Sequence, residues 1–294
     1  MIHTIDLNFQ GLPKAIASFL VPTEDGPVLI ETGPHSTLPY LRKGISKLGD
    51  DLSDIKNVLI SHIHLDHAGA AWYLASQGAK VFVHSMGYRH LKDPERLMAS
   101  AERIYGDKMG QLWGSMEAIS SEQLVEVVDD QPIEIGDRVF KPWYTPGHAI
   151  HHLAWQMGET LFTGDVAGVK IGSGPVMPPC PPPDINIENW IQSIDLIREM
   201  KLKRLFLTHF GIITDVVAHL DELEGRLITW SQWIKPYWEA QTPASEVTAP
   251  FQQFVASELR QSGLSDSEIA IYEAANPSWM SVYGLLRYWE KRGQ

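Results

Sequence analysis

The chain has 294 residues, enough for one large domain or two, and its 44% hydrophobic and 20% charged content is that of an ordinary soluble globular protein. No apolar run approaches the roughly 18 residues that a membrane span needs. With 24 basic against 36 acidic residues the net charge is −12 and there is no basic stripe, which argues against a nucleic-acid partner.

In chain order, the start Met1-Ile2-His3-Thr4-Ile5-Asp6 lacks the basic-then-apolar layout of a signal peptide. The expected compartment is the cytoplasm, which the single cysteine, Cys180, also fits because it excludes an intramolecular disulfide framework. Ala15 to Val21 and Val28 to Glu31 read as a hairpin turning at Glu24-Asp25-Gly26-Pro27. A helix is expected around 37–48, then a buried strand Asn57 to Ser61 and a helix beginning at Ala68. Lys80 to His84 reads as another strand, and 85–125 as short polar helices lying over the body.

Strands resume at Val139 to Tyr144, Leu153 to Met157 and Thr160 to Thr163. The Gly/Pro-rich segment 172–183 cannot be regular structure and is read as a loop shaping a pocket, with plain linker as the alternative. Cys180 within it is read as a plain loop residue, with a reactive thiol as the alternative. A helix near 186–200 and a strand Arg204 to Thr208 follow; the Lys201-Leu202-Lys203-Arg204 run between them reads as a solvated turn. From 214 onward the pattern is helical only, so the expected organisation is 1–213 for the main domain and 214–294 for a helical extension packed near its pocket mouth. Val216, Leu220, Leu223, Leu227, Trp230 and Ile234 form one apolar stripe that Pro236 should end or kink. Trp279, Val282, Tyr283, Leu286 and Trp289 make an apolar face on the last helix, read as core packing, with an aromatic wall over the site as the alternative.

The run His62-Ile63-His64-Leu65-Asp66-His67 places four metal-ligand side chains in six residues, between a buried strand and a helix. Two imidazoles at i and i+2 on extended chain point the same way and can grip one ion, while Asp66 and His67, at the turn into the helix, can hold a second. Three further strands end in ligand-type residues beside glycines: Thr145-Pro146-Gly147-His148, Phe162-Thr163-Gly164-Asp165 and Leu207-Thr208-His209-Phe210-Gly211.

With these motifs in this order, residues 15 to 212 resemble the metallo-β-lactamase superfamily of metal-dependent hydrolases, in particular its glyoxalase-II-like and lactonase-like branch. The resemblance implies an α/β fold, an αββα sandwich of two mixed β-sheets with helices outside. It implies one metal on His62, His64 and His148, another on Asp66, His67 and His209, and Asp165 bridging them. One departure is Glu31, where relatives mostly carry aspartate; the position supports a metal ligand, so binding is expected to survive with an altered supporting geometry. His151, His152 and His84 are read as structural, with a substrate contact or support of the site as the alternative. His3, His35, His90 and His219 carry no spacing signal.

Imidazole and carboxylate donors without thiolate suit two divalent ions, zinc foremost, with iron or manganese compatible. Two close cations lower the pKa of a bridging water and polarise a carbonyl, and Asp66 can orient the resulting hydroxide while ligating. The expected activity is cleavage of an ester-like bond, thioester or lactone, in a small acyl compound. The alternatives are a mononuclear iron sulfur dioxygenase of the same superfamily, or a binding protein whose helical tail occludes the site. Homodimerisation through the aromatic tail is a further expectation.

Overall fold

The computed structural model describes residues 1–293. Its strands form two six-stranded mixed sheets. The first runs in spatial order through β1 (His3–Asp6), β2 (Ala17–Val21), β3 (Val28–Ile30), β4 (Asn57–Leu59), β5 (Lys80–His84) and β6 (Leu124–Val127). The second contains β7 (Ile133–Ile135), β8 (Arg138–Tyr144), β9 (Leu153–Met157), β10 (Thr160–Phe162), β11 (Arg204–Leu207) and β12 (Gly211–Ile213), in spatial order β12-β11-β10-β9-β8-β7. The hairpin expected from the sequence is β2–β3, antiparallel with Phe19 opposite Ile30; β3, β4 and β5 then run parallel.

Successive side chains on a strand point to opposite faces, and here both faces are covered, so central strands read as apolar runs rather than alternating ones. Phe19, Ile30, Leu59, Trp155, Phe162 and Phe206 pack between the sheets. Phe19, Phe162 and Phe206 form a triangle with centroids 5.2–5.4 Å apart. The opposite faces, Leu20, Leu29, Val58 and Val81 in one sheet and Ala154, Leu161, Leu205 and Leu207 in the other, join the helices in a larger apolar cluster.

The helices of the main body are α1 (Leu38–Ser46), α2 (Leu65–Ala68), α3 (Ala71–Ser76), α4 (Ser85–Lys92), α5 (Glu95–Tyr105), α6 (Met109–Leu112) and α7 (Ile187–Glu199). Asn186 caps α7 by accepting from Asn189 N at 2.9 Å. The chain then continues as α8 (Val216–Glu239), α9 (Ala244–Gln261), α10 (Asp266–Ala275) and α11 (Ser278–Arg292). All six members of the α8 stripe are buried. Pro236 does not end α8: the helix continues to Glu239, past the position where proline lacks a backbone donor.

The face of α11 differs from the expected one. Val282, Leu285 and Tyr288 are buried with Ser278, Ser281 and Gly284, whereas Tyr283 is 46% exposed and Trp279, Leu286 and Trp289 are half-buried. The cause is the small residue at 284, where a Cβ would strike the backbone of Cys180 and Pro181. The helix therefore turns its small side to the proline segment for close approach. No helix among the described residues is long and apolar enough to cross a membrane.

Candidate metal centre

Both sheets deliver their ligand-type residues to one place. β4 leads into His62 and His64, whose extended backbone caps α2, and α2 carries Asp66 and His67. β8 leads to His148, β10 to Asp165 and β11 to His209. Two glycines make the crowding feasible. Gly164 has φ +50°, and a Cβ there would run into Ser61 and His152. Gly147 has φ +134° and lies against the backbone of Trp190.

Three overlapping sets of donor atoms lie within 4.8 Å of one another: His62, His64 and His148; His62, His67 and Asp165; and Asp66, His67 and His209. In the first, His64 Nδ1 is 2.9 Å from His62 Nε2 and 3.1 Å from His148 Nε2. Around the second ion position, His67 Nε2 and His209 Nε2 stand 3.7 and 3.5 Å from Asp66 Oδ2. Asp165 faces both: Oδ1 is 3.2 Å from His67 Nε2 and 3.4 Å from His209 Nε2, and Oδ2 is 3.3 Å from His148 Nε2. A tetrahedral ion with bonds of about 2.0–2.1 Å sets its ligands about 3.3–3.4 Å apart, so these edges fit a cation at each position.

The outer nitrogens fix which atom faces inward. His148 Nδ1 donates to Pro179 O at 2.8 Å and His209 Nδ1 to Ala15 O at 2.7 Å. His67 Nδ1 donates to Glu31 Oε2 at 2.7 Å, while Glu31 Oε1 accepts from Ser61 N at 2.7 Å. Ser61 Oγ lies 2.9 Å from His62 Nδ1. With Nδ1 protonated, Nε2 of each ring bonded in this way to carbonyl or carboxylate presents a lone pair to the interior. His67 Nε2, His209 Nε2 and Asp165 Oδ1 are buried without a hydrogen-bond partner, as electron pairs converging on a cation would be. These residues therefore fit metal ions.

The electrostatics agree. Burial, then repulsion from neighbouring histidines, holds His62 well below the ordinary imidazole value. Burial, outweighing the pull of Asp165, brings His148 to about 4. Burial pushes the Asp66 carboxyl up, but His67 and His209 outweigh it and bring it to about 2. His67 and His209 are raised despite burial, chiefly by Asp165 and Asp66. Their carboxylate surroundings demand positive charge, which a divalent cation would supply in place of protons.

All seven residues singled out in the sequence are brought together. Glu31 reaches its support position, at 1% exposure and with φ +62°, a conformation uncommon outside glycine. His152 is fully engaged, with Thr145 Oγ1 2.8 Å from Nδ1 and Asp165 N 3.1 Å from Nε2, and so holds Asp165 in place. His84 accepts from Met86 N and stacks on Tyr144; His35 packs on Trp72; His219 donates to Ala167 O. Cys180 is fully buried, and burial pushes its thiol up, which disfavours the reactive-thiol reading.

Several participants carried no readable signal. The Pro179 and Ala15 carbonyls orient ligands through backbone, which any residue offers. Tyr105, at the end of α5, stands close enough to Asp66 that, after burial, the carboxylate helps push its hydroxyl up. Its ring meets Trp113 at 5.1 Å and Trp279 at 6.0 Å, an aromatic wall shared by the α5–α6 segment and α11.

The family model of the metallo-β-lactamase superfamily matches residues 12–209. The chain belongs to that superfamily. Members of the metallo-β-lactamase superfamily are mostly metal-dependent hydrolases. Among curated relatives, the metallo-β-lactamase fold-containing protein ST1585 of Sulfurisphaera tokodaii is 25% identical over 228 residues, 76% of this chain and 84% of its own length. Its crystal structure aligns with a TM-score of 0.61 at 27% identity, covering 75% of this chain and 84% of that one. The metallo-β-lactamase family protein TTHA1429 from Thermus thermophilus is 17% identical with a TM-score of 0.71, covering 99% of this chain and 94% of its own. That coverage includes the C-terminal helices, so they belong to a shared fold. BJP-1, a subclass B3 metallo-β-lactamase of Bradyrhizobium japonicum, aligns over 73% of this chain and 86% of its own with a TM-score of 0.54 at 18% identity.

Proposed function

We propose that this chain is a two-metal hydrolase that cleaves an ester-like bond, a thioester or lactone, in a small acyl compound. The observation that carries the reading is Asp165, whose two oxygens face different donor sets, each within 3.4 Å of a histidine nitrogen. His62, His64 and His148 would hold one ion and Asp66, His67 and His209 the other, with zinc the first candidate for a thiolate-free set. When bound, two such ions supply a hydroxide nucleophile near neutral pH and Lewis-acid polarisation of a carbonyl.

The remaining work falls to the side chains. Asp66 is 21% exposed, against 4% for Asp165, so its carboxylate lines the opening of the site. Its Oδ2 turns to His67 and His209, leaving Oδ1 to orient the attacking water and to receive its proton. Tyr105, Trp113 and Trp279 offer apolar surface for the acyl portion. No serine or cysteine nucleophile is needed. The net charge of −12 and the single cysteine favour a cytoplasmic enzyme acting on a small molecule rather than on nucleic acid.

The test is metal content per chain, in protein purified without chelator, followed by a thioester and lactone screen. Two ions per chain with hydrolysis is the expected result. A single iron with oxygen uptake would replace the reading with oxygen chemistry. No metal after reconstitution would leave a binding protein.

A further inference from the structure

His151 is the unexplained histidine of the centre. It follows the turn that delivers His148 and is 5% exposed. Its ring stacks on His62, with centroids 6.1 Å apart and planes at 15°, and meets His64 edge-on at 5.7 Å. The neighbouring His152 spends both ring nitrogens on protein partners, as a structural histidine should. The Nδ1 of His151 is buried and has none.

A buried imidazole nitrogen without a partner costs free energy comparable to a lost hydrogen bond. Packing does not account for the choice of residue, because an apolar ring would fill the same space. On the far side the α4 backbone closes in at Gly87, where a Cβ would stand 3.8 Å from His151 Cβ. His151 therefore lies between α4 and the His62–His64 pair. His64 is only half-buried and the His151 ring meets it edge-on, so the ring lies behind the partly open side of the first donor set.

We propose that His151 is a substrate-contacting residue whose imidazole N–H hydrogen-bonds the carbonyl oxygen of an acyl ligand seated beside His62, His64 and His148. The proposal rests on the metallo-hydrolase reading above. It assigns the acyl oxygen to the His64 side of the centre and the attacking water to the Asp66 side. It also sets the ligand class: a compound presenting a carbonyl or tetrahedral oxygen, since an apolar group would leave the nitrogen unpaired.

The test uses acetohydroxamate, which carries an acyl oxygen and needs no turnover. Its affinity for the zinc-loaded protein is measured by calorimetry, alongside zinc content, for wild type, His151→Phe, His151→Ala, His151→Asn and His151→Gln. The expected result is wild-type zinc content throughout. Affinity is weakened about tenfold or more in the Phe and Ala proteins, about 1.4 kcal/mol per factor of ten. It returns to within about threefold of wild type in the Asn or Gln protein, whose amide N–H lies near the Nδ1 or Nε2 position. Unchanged affinity in both Phe and Ala proteins overturns the proposal. So does loss of zinc from the variants with unchanged hydroxamate affinity per bound zinc, which would make His151 a structural support. A wild-type protein that binds hydroxamate through His151 yet hydrolyses no thioester or lactone would instead sink the hydrolase reading alone.

Discussion

Glu31→Gln tests how the centre is held in register. Glu31 is 1% exposed and divides its carboxylate between Ser61 N and His67 Nδ1, both at 2.7 Å. The charge requires a proton on Nδ1 and so keeps the Nε2 lone pair turned inward. Glutamine has one oxygen for two donors. If that oxygen stays on Ser61, the amide N–H2 faces His67 Nδ1 and drives the proton to Nε2, the nitrogen a metal needs. If the amide flips, its N–H2 meets the Ser61 N–H, a buried clash of donors worth about 1–3 kcal/mol. Loss of such a supporting carboxylate weakens metal binding about 10- to 100-fold, or about 1.4–2.7 kcal/mol. The weakening should fall on the Asp66, His67 and His209 position and leave His62, His64 and His148 within about threefold. Competition titration with a chromophoric chelator resolves the two as separate phases. Weakening of neither position, or of the His62, His64 and His148 position alone, would refute the assignment of Glu31 to His67.

Burial brings His219 in α8 from the usual 6.5 to about 4, so the folded state stays neutral where the unfolded chain takes up a proton. Stability should therefore be fully present above pH 6.5 and fall as pH drops toward 4, by about 3 kcal/mol from this group. Urea unfolding of His219→Gln should lack that component, and equal pH slopes in both proteins would count against it. Phe206→Ala, in the triangle between the sheets, should cost about 3–5 kcal/mol in the same assay. Gly284→Leu should cost at least about 1–3 kcal/mol, because its side chain meets the Cys180 backbone rather than space, and an unshifted thermal midpoint would contradict that. Tyr105→Ala should raise KM about tenfold with metal content unchanged, through lost apolar contact beside Asp66; an effect on metal content alone would place Tyr105 outside the substrate's reach.

What the sequence conceals follows a pattern. The strands it does not reveal are β1, β6, β7 and β12, and these are the four edges of the two sheets. An edge strand is paired on one side only and half exposed, as the mixed burial of His3–Asp6 and Gly211–Ile213 shows. Such strands need no apolar run, which is the signal that marks β2, β3 and β11. The metal-site residues are legible for a related reason. Their residue types are chemically committed, and each lies in the turn or short helix that follows a strand of the sandwich. The supports that are backbone carbonyls, at Ala15 and Pro179, leave no trace in residue identity.

The helical tail is best understood through one of those carbonyls. Pro179 O orients His148, and it lies in a proline-rich segment whose ladder-type backbone bonding is a single bridge, Met177 with Val169. The tail supplies what the segment lacks. Tyr272 Oη donates to Pro175 O at 2.8 Å and accepts from Ile171 N at 2.9 Å. Asn276 Nδ2 donates to Pro178 O at 3.2 Å and Ser281 Oγ accepts from Cys180 N at 3.4 Å. From α8, Glu222 accepts from Val176 N at 3.1 Å and Arg226 donates to Val176 O at 2.7 Å. Partners from α8, α10 and α11 thus converge on a dozen proline-rich residues that include the carbonyl setting the His148 tautomer. Rigid support matters most for a ligand at the end of a strand, where the sheet itself no longer restrains the side chain. The tail, with its tyrosine and amide side chains aimed at backbone rather than at solvent, extends the site's scaffold beyond the sandwich that carries the ligands.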